Sequence, residues 1–322
     1  MNTVFYKLLR PFIASLTVCS TFFLLISPVF AATIGGTPPF LHQIWNIDVG
    51  VQLKENATEG MIFPVRELWI NVGDTIIWHA ASDEEHTVTF LRVGQKPPAI
   101  NRHDPLQIDR QGGDHYDGRS YYNSGLLSNF PLEHKRDSMT YSLIFDVAGN
   151  FPYLSLLQPA MTGIVHVRSI GTLYPFTIHD YQQQAIDSIT RVQGQGQLLA
   201  TAARKYANNH YIIAGVGNSE VSDFLFTPSV VTIHAGETVI FQHADGIEPH
   251  TVTFGTSNRS NETPFGNPAA FDGFSPFNSG WLCAASYCTD SSYRVTFTRT
   301  GTFVLRDDLN RYTMTTRVVV LK

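Results

Sequence analysis

FPVRELWINVGDTIIWHAASDEEHTVTF (63–90) and FTPSVVTIHAGETVIFQHADGIEPHTVTF (226–254) are two versions of one pattern. Both read as strand, tight turn, strand, polar loop, histidine, strand, and both end in HTVTF. The second copy is one residue longer, with the addition in the loop just before the histidine. Leu68, Ile70 and Val72, and likewise Val231 and Ile233, alternate with polar or exposed positions, the period of a half-buried strand. Gly73 and Gly236 stand where a tight turn must reverse the chain.

The repeat continues downstream. YNSGLL (122–127) matches FNSGWL (277–282), and YSLIFDVAGNFPY (141–153) matches YRVTFTRTGTFVL (293–305). Each copy closes on an apolar strand, IVHV (164–167) and RVVVL (317–321). Runs of short strands with turn signals between them predict a mainly β chain of two tandem β-sandwiches. The first is expected over 40–170 and the second over 210–322. The inserts 91–121 and 255–276 are rich in Pro, Gly, Asn and Asp and read as loops at one end of each sandwich. Between the copies, 177–209 turns Gln- and Ala-rich and reads as a helical linker. Tyr181, Ala185, Ile186 and Ile189 share one helical face, as do Leu198, Leu199 and Ala202. Gly194 and Gly196 predict a break into two helices.

The chain has 322 residues, 12% aromatic and only 15% charged, with a net charge of −5. It can bury a substantial core, so global disorder is excluded. No basic block suggests a nucleic-acid groove or a polybasic membrane patch. Lys7 and Arg10 precede an apolar run (13–26), and Val29-Phe30-Ala31 offers a cleavage site, so 1–31 reads as an export signal cut after Ala31, with Ala32 the alternative. A retained membrane anchor is the other reading, although the apolar run is short for a span of roughly 20 residues. After cleavage no membrane span is expected, and the protein is expected to be periplasmic or secreted.

Removing the signal takes Cys19 with it. Cys283 and Cys288 in GWLCAASYC then read as a local disulfide in an oxidising compartment. A CxxxxC metal site is the alternative, but a second pair of ligands is missing. Asn56, Asn258 and Asn261 each open a glycosylation sequon, which matters only in a eukaryotic secretory route.

A sandwich with a histidine loop, a later F/Y-x-S-G element and a G-x-F/Y-x-Y closing hairpin resembles the plastocyanin-like cupredoxins, once per domain. The resemblance implies a Greek-key cupredoxin fold and copper-based electron transfer. It makes His86 and His250 the first copper ligands. A second loop, roughly G-T-Y-x-Y-x-C-x-x-H-P-x-M-x-G, supplies the rest of the family's ligand set. Here the first domain reads GNFPYLSLLQPAMTG (149–163), with Ser155 at the cysteine, Gln158 at the second histidine and Met161 at the axial methionine. The second reads GTFVLRDDLNRYTMT (301–315), with Asp307, Asn310 and Thr313 at those places.

Two imidazoles and a soft thiolate hold a blue copper ion, with a weak axial thioether. A serine hydroxyl or a carboxylate is hard and cannot replace the thiolate. A blue copper centre is therefore not expected, and no cofactor is expected beyond residual copper. Such residual binding would use His86 with Met161 for cuprous ion, or His250 with Asp307 for cupric ion or zinc. His79, His115, His234 and His243 are further donors. The other role for His86 and His250 is structural, a hydrogen bond across the two loops that fixes the sandwich end.

Three function classes follow: copper electron transfer, an exported binding or structural module, and an enzyme. Neither the His-x-His pairs nor the His-Cys-His run of copper reductases and oxidases is present, nor a G-x-S-x-G elbow, an HExxH helix or a phosphate loop. The reading is a non-enzymatic, non-redox module with an unidentified protein or small-molecule partner. Recognition would fall to the loops, with FGNPAAFDGFSPFNSGW (265–281) the most aromatic; the alternative is that those rings cover the sandwich end.

Overall fold

A computed structural model describes residues 42–53, 57–130, 138–246, 248–256, 263–284, 288, 290–309 and 314–322. The expected export signal, the three sequon asparagines, Asn310 and Thr313 lie outside these residues.

The first half contributes β1 (Ile44–Val49), β2 (Val51–Leu53), β3 (Thr58–Gly60), β4 (Glu67–Asn71), β5 (Thr75–Ala80), β6 (Thr89–Phe90), β7 (His115–Tyr116), β8 (Tyr122–Asn123), β9 (Thr140–Phe145), β10 (Gly149–Leu154) and β11 (Thr162–Arg168). Alternation sets which side chains go inward: β9 buries every second residue from Tyr141, and β1 every second residue from Trp45. Two sheets, β1-β5-β9-β7 and β4-β11-β10-β6-β8, face each other as a sandwich. Trp78, Phe90, Tyr141, Phe145 and Tyr153 fill it with mutual ring contacts. The turn GDT explains its acidic residue. Asp74 is buried and accepts from Gln43 N, Trp45 Nε1, Asn71 N and the Tyr174 hydroxyl, which pins β1 to β5. The insert 91–121 is not wholly loop, since it carries β7 and a one-turn helix, α1 (Pro105–Ile108).

The second half repeats the plan. Its strands are β12 (Tyr211–Gly217), β13 (Val221–Thr227), β14 (Val230–His234), β15 (Thr238–Ala244), β16 (Thr253–Phe254), β17 (Phe277–Asn278), β18 (Ser292–Thr296), β19 (Gly301–Arg306) and β20 (Thr315–Leu321). β12 runs parallel to β15 as β1 does to β5, and β14 runs parallel to β20 as β4 does to β11. The protein is thus mainly β, two tandem β-sandwiches joined by a helical segment. Phe271 and Phe277 from the aromatic insert are buried in the second core with Phe241 and Phe297, so these rings cover the sandwich end. Only Phe274 stands out, 70% exposed, with Arg299 over its ring.

The two halves are not divided where the repeat suggests. The hairpin β2–β3 leaves the first sandwich and completes the second one's sheet, in the order β18-β15-β12-β13-β3-β2. β3 pairs antiparallel with β13, and Thr58 Oγ1 donates to buried Asp223. Three consecutive side chains then serve three clusters. Met61 packs in the second core, Ile62 under the helix and Phe63 in the first core.

The linker forms one helix, α2 (Ile178–Tyr206), not two. Thr177 and Asp180 form a capping box at its start, and Arg204 and Lys205 lie in its last turn. Its buried positions are Tyr181, Val192, Gly196 and Ala203, with Ile189 and Leu199 half-buried beside them. Ile186 and Leu198, expected on the packing faces, are 54% and 72% exposed, and Ala202 is exposed. Apolarity alone misplaces the stripe because a glycine makes the closest contact. A Cβ on Gly196 would meet Thr58 Cγ2 at 2.6 Å, and one on Gly60 would meet Val192 Cγ2 at 2.8 Å. Each glycine thus lets a side chain of the other element seat against bare backbone, Thr58 on Gly196 and Val192 on Gly60, and Glu220 adds ion pairs to Arg66 and Arg191.

The two helical glycines therefore differ in sign. Gly194 is exposed with no atom within 4 Å of its would-be Cβ, so Gly194→Ala should stabilise by up to about 1 kcal/mol through helix propensity. Gly196→Ala should destabilise by about 1–3 kcal/mol through overpacking. Urea midpoints of the two variants check the contrast.

Candidate functional site

Each histidine of the repeat sits at the end of its sandwich and is held the same way by its backbone. His86 exchanges two main-chain hydrogen bonds with Leu127, and His250 does so with Leu282. The N-S-G element makes this possible. Ser124 Oγ accepts from Val88 N and Ser279 Oγ from Val252 N, both at 2.8 Å. Asn123 and Asn278 each accept from the amide of the following glycine, Gly125 and Gly280, both at positive φ.

The side chains are fully buried, and their ring nitrogens are engaged. His86 Nδ1 is 3.0 Å from Gln158 Oε1 and Nε2 is 2.9 Å from Ser82 Oγ. The neutral tautomer with the proton on Nδ1 satisfies both, donating to Gln158 and accepting from Ser82. Gln158 is itself saturated: its oxygen also accepts from Ser155 Oγ at 2.8 Å, and its nitrogen donates to Glu85 O and to Glu248 Oε1. Ser155 Oγ in turn accepts from Thr87 N at 3.2 Å. Burial holds the His86 pKa down, to about 4, against the opposing effect of the Gln158 hydrogen bond.

The second site is ionic. His250 Nδ1 is 2.9 Å from Asp307 Oδ2, and Nε2 faces Asp245 Oδ2 at 3.6 Å, an ion-pair distance. Asp307 also accepts from Thr251 N and Thr251 Oγ1, and Asp245 accepts from Ser222 Oγ. Burial alone would lower the His250 pKa, but the two carboxylates outweigh it and carry it up to about 10. An imidazolium between two buried carboxylates is the state this geometry favours. His243, with its ring 5.6 Å away, donates from Nε2 to Glu248 O, and burial keeps its pKa low.

Two glycines not apparent from the repeat close both sites. Gly50 and Gly215, on positive φ, lie against the imidazoles. A Cβ on Gly50 would come within 2.5 Å of His86 Nε2, and one on Gly215 within 1.9 Å of His250 Nε2. The short matching signals VGV (49–51) and AGV (214–216) mark them in the sequence. The two tips also meet, since Gln158 of the first sandwich donates to Glu248 of the second.

These residues do not fit a copper ion. The Nδ1 atoms are taken up by Gln158 and Asp307, which stand on the second loop where further ligands would come from. Cys283 and Cys288 are joined to each other, Cα to Cα 5.8 Å, so neither offers a thiolate. Met161 is buried in the first core. Among the described residues no three His, Cys, Asp or Glu side chains converge as a metal group. His79, His115 and His234 lie apart on the strands, each beside its own partner: Asn46, Asp146 and Glu237.

No family model matches the chain, and no curated protein does. Among solved structures, the chain is similar to a Cu(I) structure of a methionine-to-alanine variant of amicyanin, at 20% identity and TM-score 0.24. That match covers 39% of this chain and 82% of that one. A reduced tryptophan-to-tyrosine variant of amicyanin matches at 20% identity and TM-score 0.24 over 38% and 80% of the two chains. The sandwich architecture stands on the strand pairings themselves.

The two imidazoles should respond to pH in opposite directions. His86 has its pKa lowered to about 4 from 6.5, so its contribution to stability is complete above 6.5 and lost as pH falls toward 4. His250 has its pKa raised to about 10, so its contribution is complete below 6.5 and lost as pH rises through 10. Urea midpoints against pH should show His86→Gln flattening the acid limb and His250→Gln flattening the alkaline one. At neutral pH His250→Gln should also cost about 3–5 kcal/mol, because it leaves buried carboxylates uncompensated.

Proposed function

We propose that this chain is an exported, cupredoxin-like protein whose copper positions have become structural, and that it acts as a binding or scaffolding module without electron transfer. One observation carries the reading. The imidazole nitrogens that would face a metal are committed to Gln158 and Asp307. Binding copper would break those bonds and strand buried polar groups, each at about 1–3 kcal/mol. On the second loop it would gain no thiolate in return, only hard oxygen donors from Ser155, Gln158 and Asp307, which suit cuprous ion poorly.

Export is supported by the 1–31 segment and by a disulfide suited to an oxidising compartment. No helix among the described residues is long and apolar enough to cross a membrane. Recognition falls to the inserts, where Arg92, Val93, Asp104, Leu106 and Tyr121 line an open cleft of about 530 Å³. Such clefts suit small ligands or side chains of a partner.

The test is a titration of the purified chain lacking 1–31 with cupric and with cuprous ions, reading visible absorption and bound metal. The expected result is no intense blue band and no stoichiometric binding. Colourless one-to-one binding that disappears in His86→Ala or His250→Ala would overturn the reading in favour of a residual copper site.

A further inference from the structure

Gln158 is buried between the two sandwich tips, with the two ends of its amide facing opposite ways. The oxygen lies 3.0 Å from His86 Nδ1 and 2.8 Å from Ser155 Oγ. The nitrogen lies 3.2 Å from Glu85 O and 3.2 Å from Glu248 Oε1, the latter in the second sandwich. The two ends of an amide have nearly the same shape, so its donors and acceptors decide which way it stands.

On the His86 side either orientation can be satisfied. With the amide oxygen toward it, the ring carries its proton on Nδ1 and accepts from Ser82 at Nε2. With the amide nitrogen toward it, the ring would accept at Nδ1 and donate from Nε2 to Ser82 Oγ. The hydroxyl proton of Ser82 would then turn to Glu84 O, at 3.4 Å. Ser155 Oγ already accepts from Thr87 N and has a second lone pair for the amide nitrogen. The far side admits one orientation only. Glu85 O and Glu248 Oε1 are both acceptors, and a reversed amide would set an oxygen 3.2 Å from each. Glu85 belongs to the loop of His86 itself, whereas Glu248 is supplied by the other repeat. The main chain holds Glu248 in place. Its N–H donates to Asp245 Oδ1 at 3.2 Å, its carbonyl accepts from His243 Nε2 at 2.9 Å, and Asp245 in turn faces His250.

We propose that Glu248 of the second sandwich selects the tautomer of His86 in the first, as a positioning residue acting through the amide of Gln158. The selection turns an N–H of the ring toward the closing loop and the lone pair toward Ser82. The inference rests on the reading of His86 as a structural residue, and it adds what keeps it one: a contact from the other repeat. Without Glu248 the amide would be oriented by Glu85 O alone.

The test reads the tautomer itself. In the isotope-labelled, metal-free chain lacking 1–31, long-range proton–nitrogen correlations at neutral pH tell a protonated ring nitrogen from a bare one. The signals that vanish in His86→Gln identify the ring. The wild type should show a protonated Nδ1 and a bare Nε2. Glu248→Met, of similar length but with no oxygen to accept, should shift the tautomer ratio at least about tenfold toward Nε2–H. Glu248→Ala removes the acceptor without filling the space and serves should Met disturb the fold. Glu248→Gln keeps an accepting oxygen and should keep the wild-type tautomer. In Gln158→Leu the connecting amide is gone, so adding Glu248→Met should change the ring no further. A ring that stays wholly Nδ1–H in folded Glu248→Met and Glu248→Ala would overturn the proposal. So would an equal shift in Glu248→Gln, or an Nε2–H ring in the wild type. Stoichiometric copper binding lost in His86→Ala would instead overturn the structural reading, and the metal-free spectra distinguish that failure from this one.

Discussion

The end of each sandwich depends on a bond from an imidazole Nδ1 to a side chain of the closing loop, from His86 to Gln158 and from His250 to Asp307. The loop before each histidine and the loop after each closing hairpin have no continuous ladder between them at the tip. The imidazole supplies the cross-link, and Ser155 and Asp307 add a second by taking the amide of the residue after the histidine. A fully buried polar ring requires this degree of satisfaction. The glycines Gly50 and Gly215 then seal the site, because a larger residue would occupy the place of the ring.

The two solutions are chemically unlike although the backbone is repeated. A neutral amide opposite His86 satisfies the ring without a charge on either partner of that bond. Two carboxylates around His250 require a proton on the ring, and the pair becomes a buried salt bridge with its desolvation cost offset by Thr251 and Ser222. Copies of one loop have thus reached satisfaction by neutrality in one case and by charge balance in the other. Both leave the ring without a free lone pair facing the second loop.

Much of the sandwich was legible because strand alternation, the GDT and GET turns and the N-S-G element each leave a local mark. The loop alignment likewise draws attention to Ser155, Gln158 and Asp307, because their neighbours Pro159 and Gly163 or the preceding strand set the register. Other features leave no such mark. VQL and TEG are ordinary strand segments, and nothing in them names the sheet they join. Gly196 resembles a helix breaker, although its missing side chain is what lets the helix approach the hairpin. Asp245 and Glu248 lie in HADGIEPH, which reads as a solvent loop until the opposite tip is seen to cover it. In each case the deciding partner is remote in sequence.

The lent hairpin has a consequence for how the molecule comes to exist. Thr58 and Asp223 are 165 residues apart, yet they share one sheet. During synthesis the first sandwich can assemble around Phe63 and Trp78 while β2 and β3 wait, their outer edge unpaired, for a partner not yet made. The second sandwich in isolation would have an open flank along β13 and a gap where Met61 belongs. The two repeats are therefore not separable modules, and a cut between them would leave two incomplete proteins, each with an edge open to foreign strands.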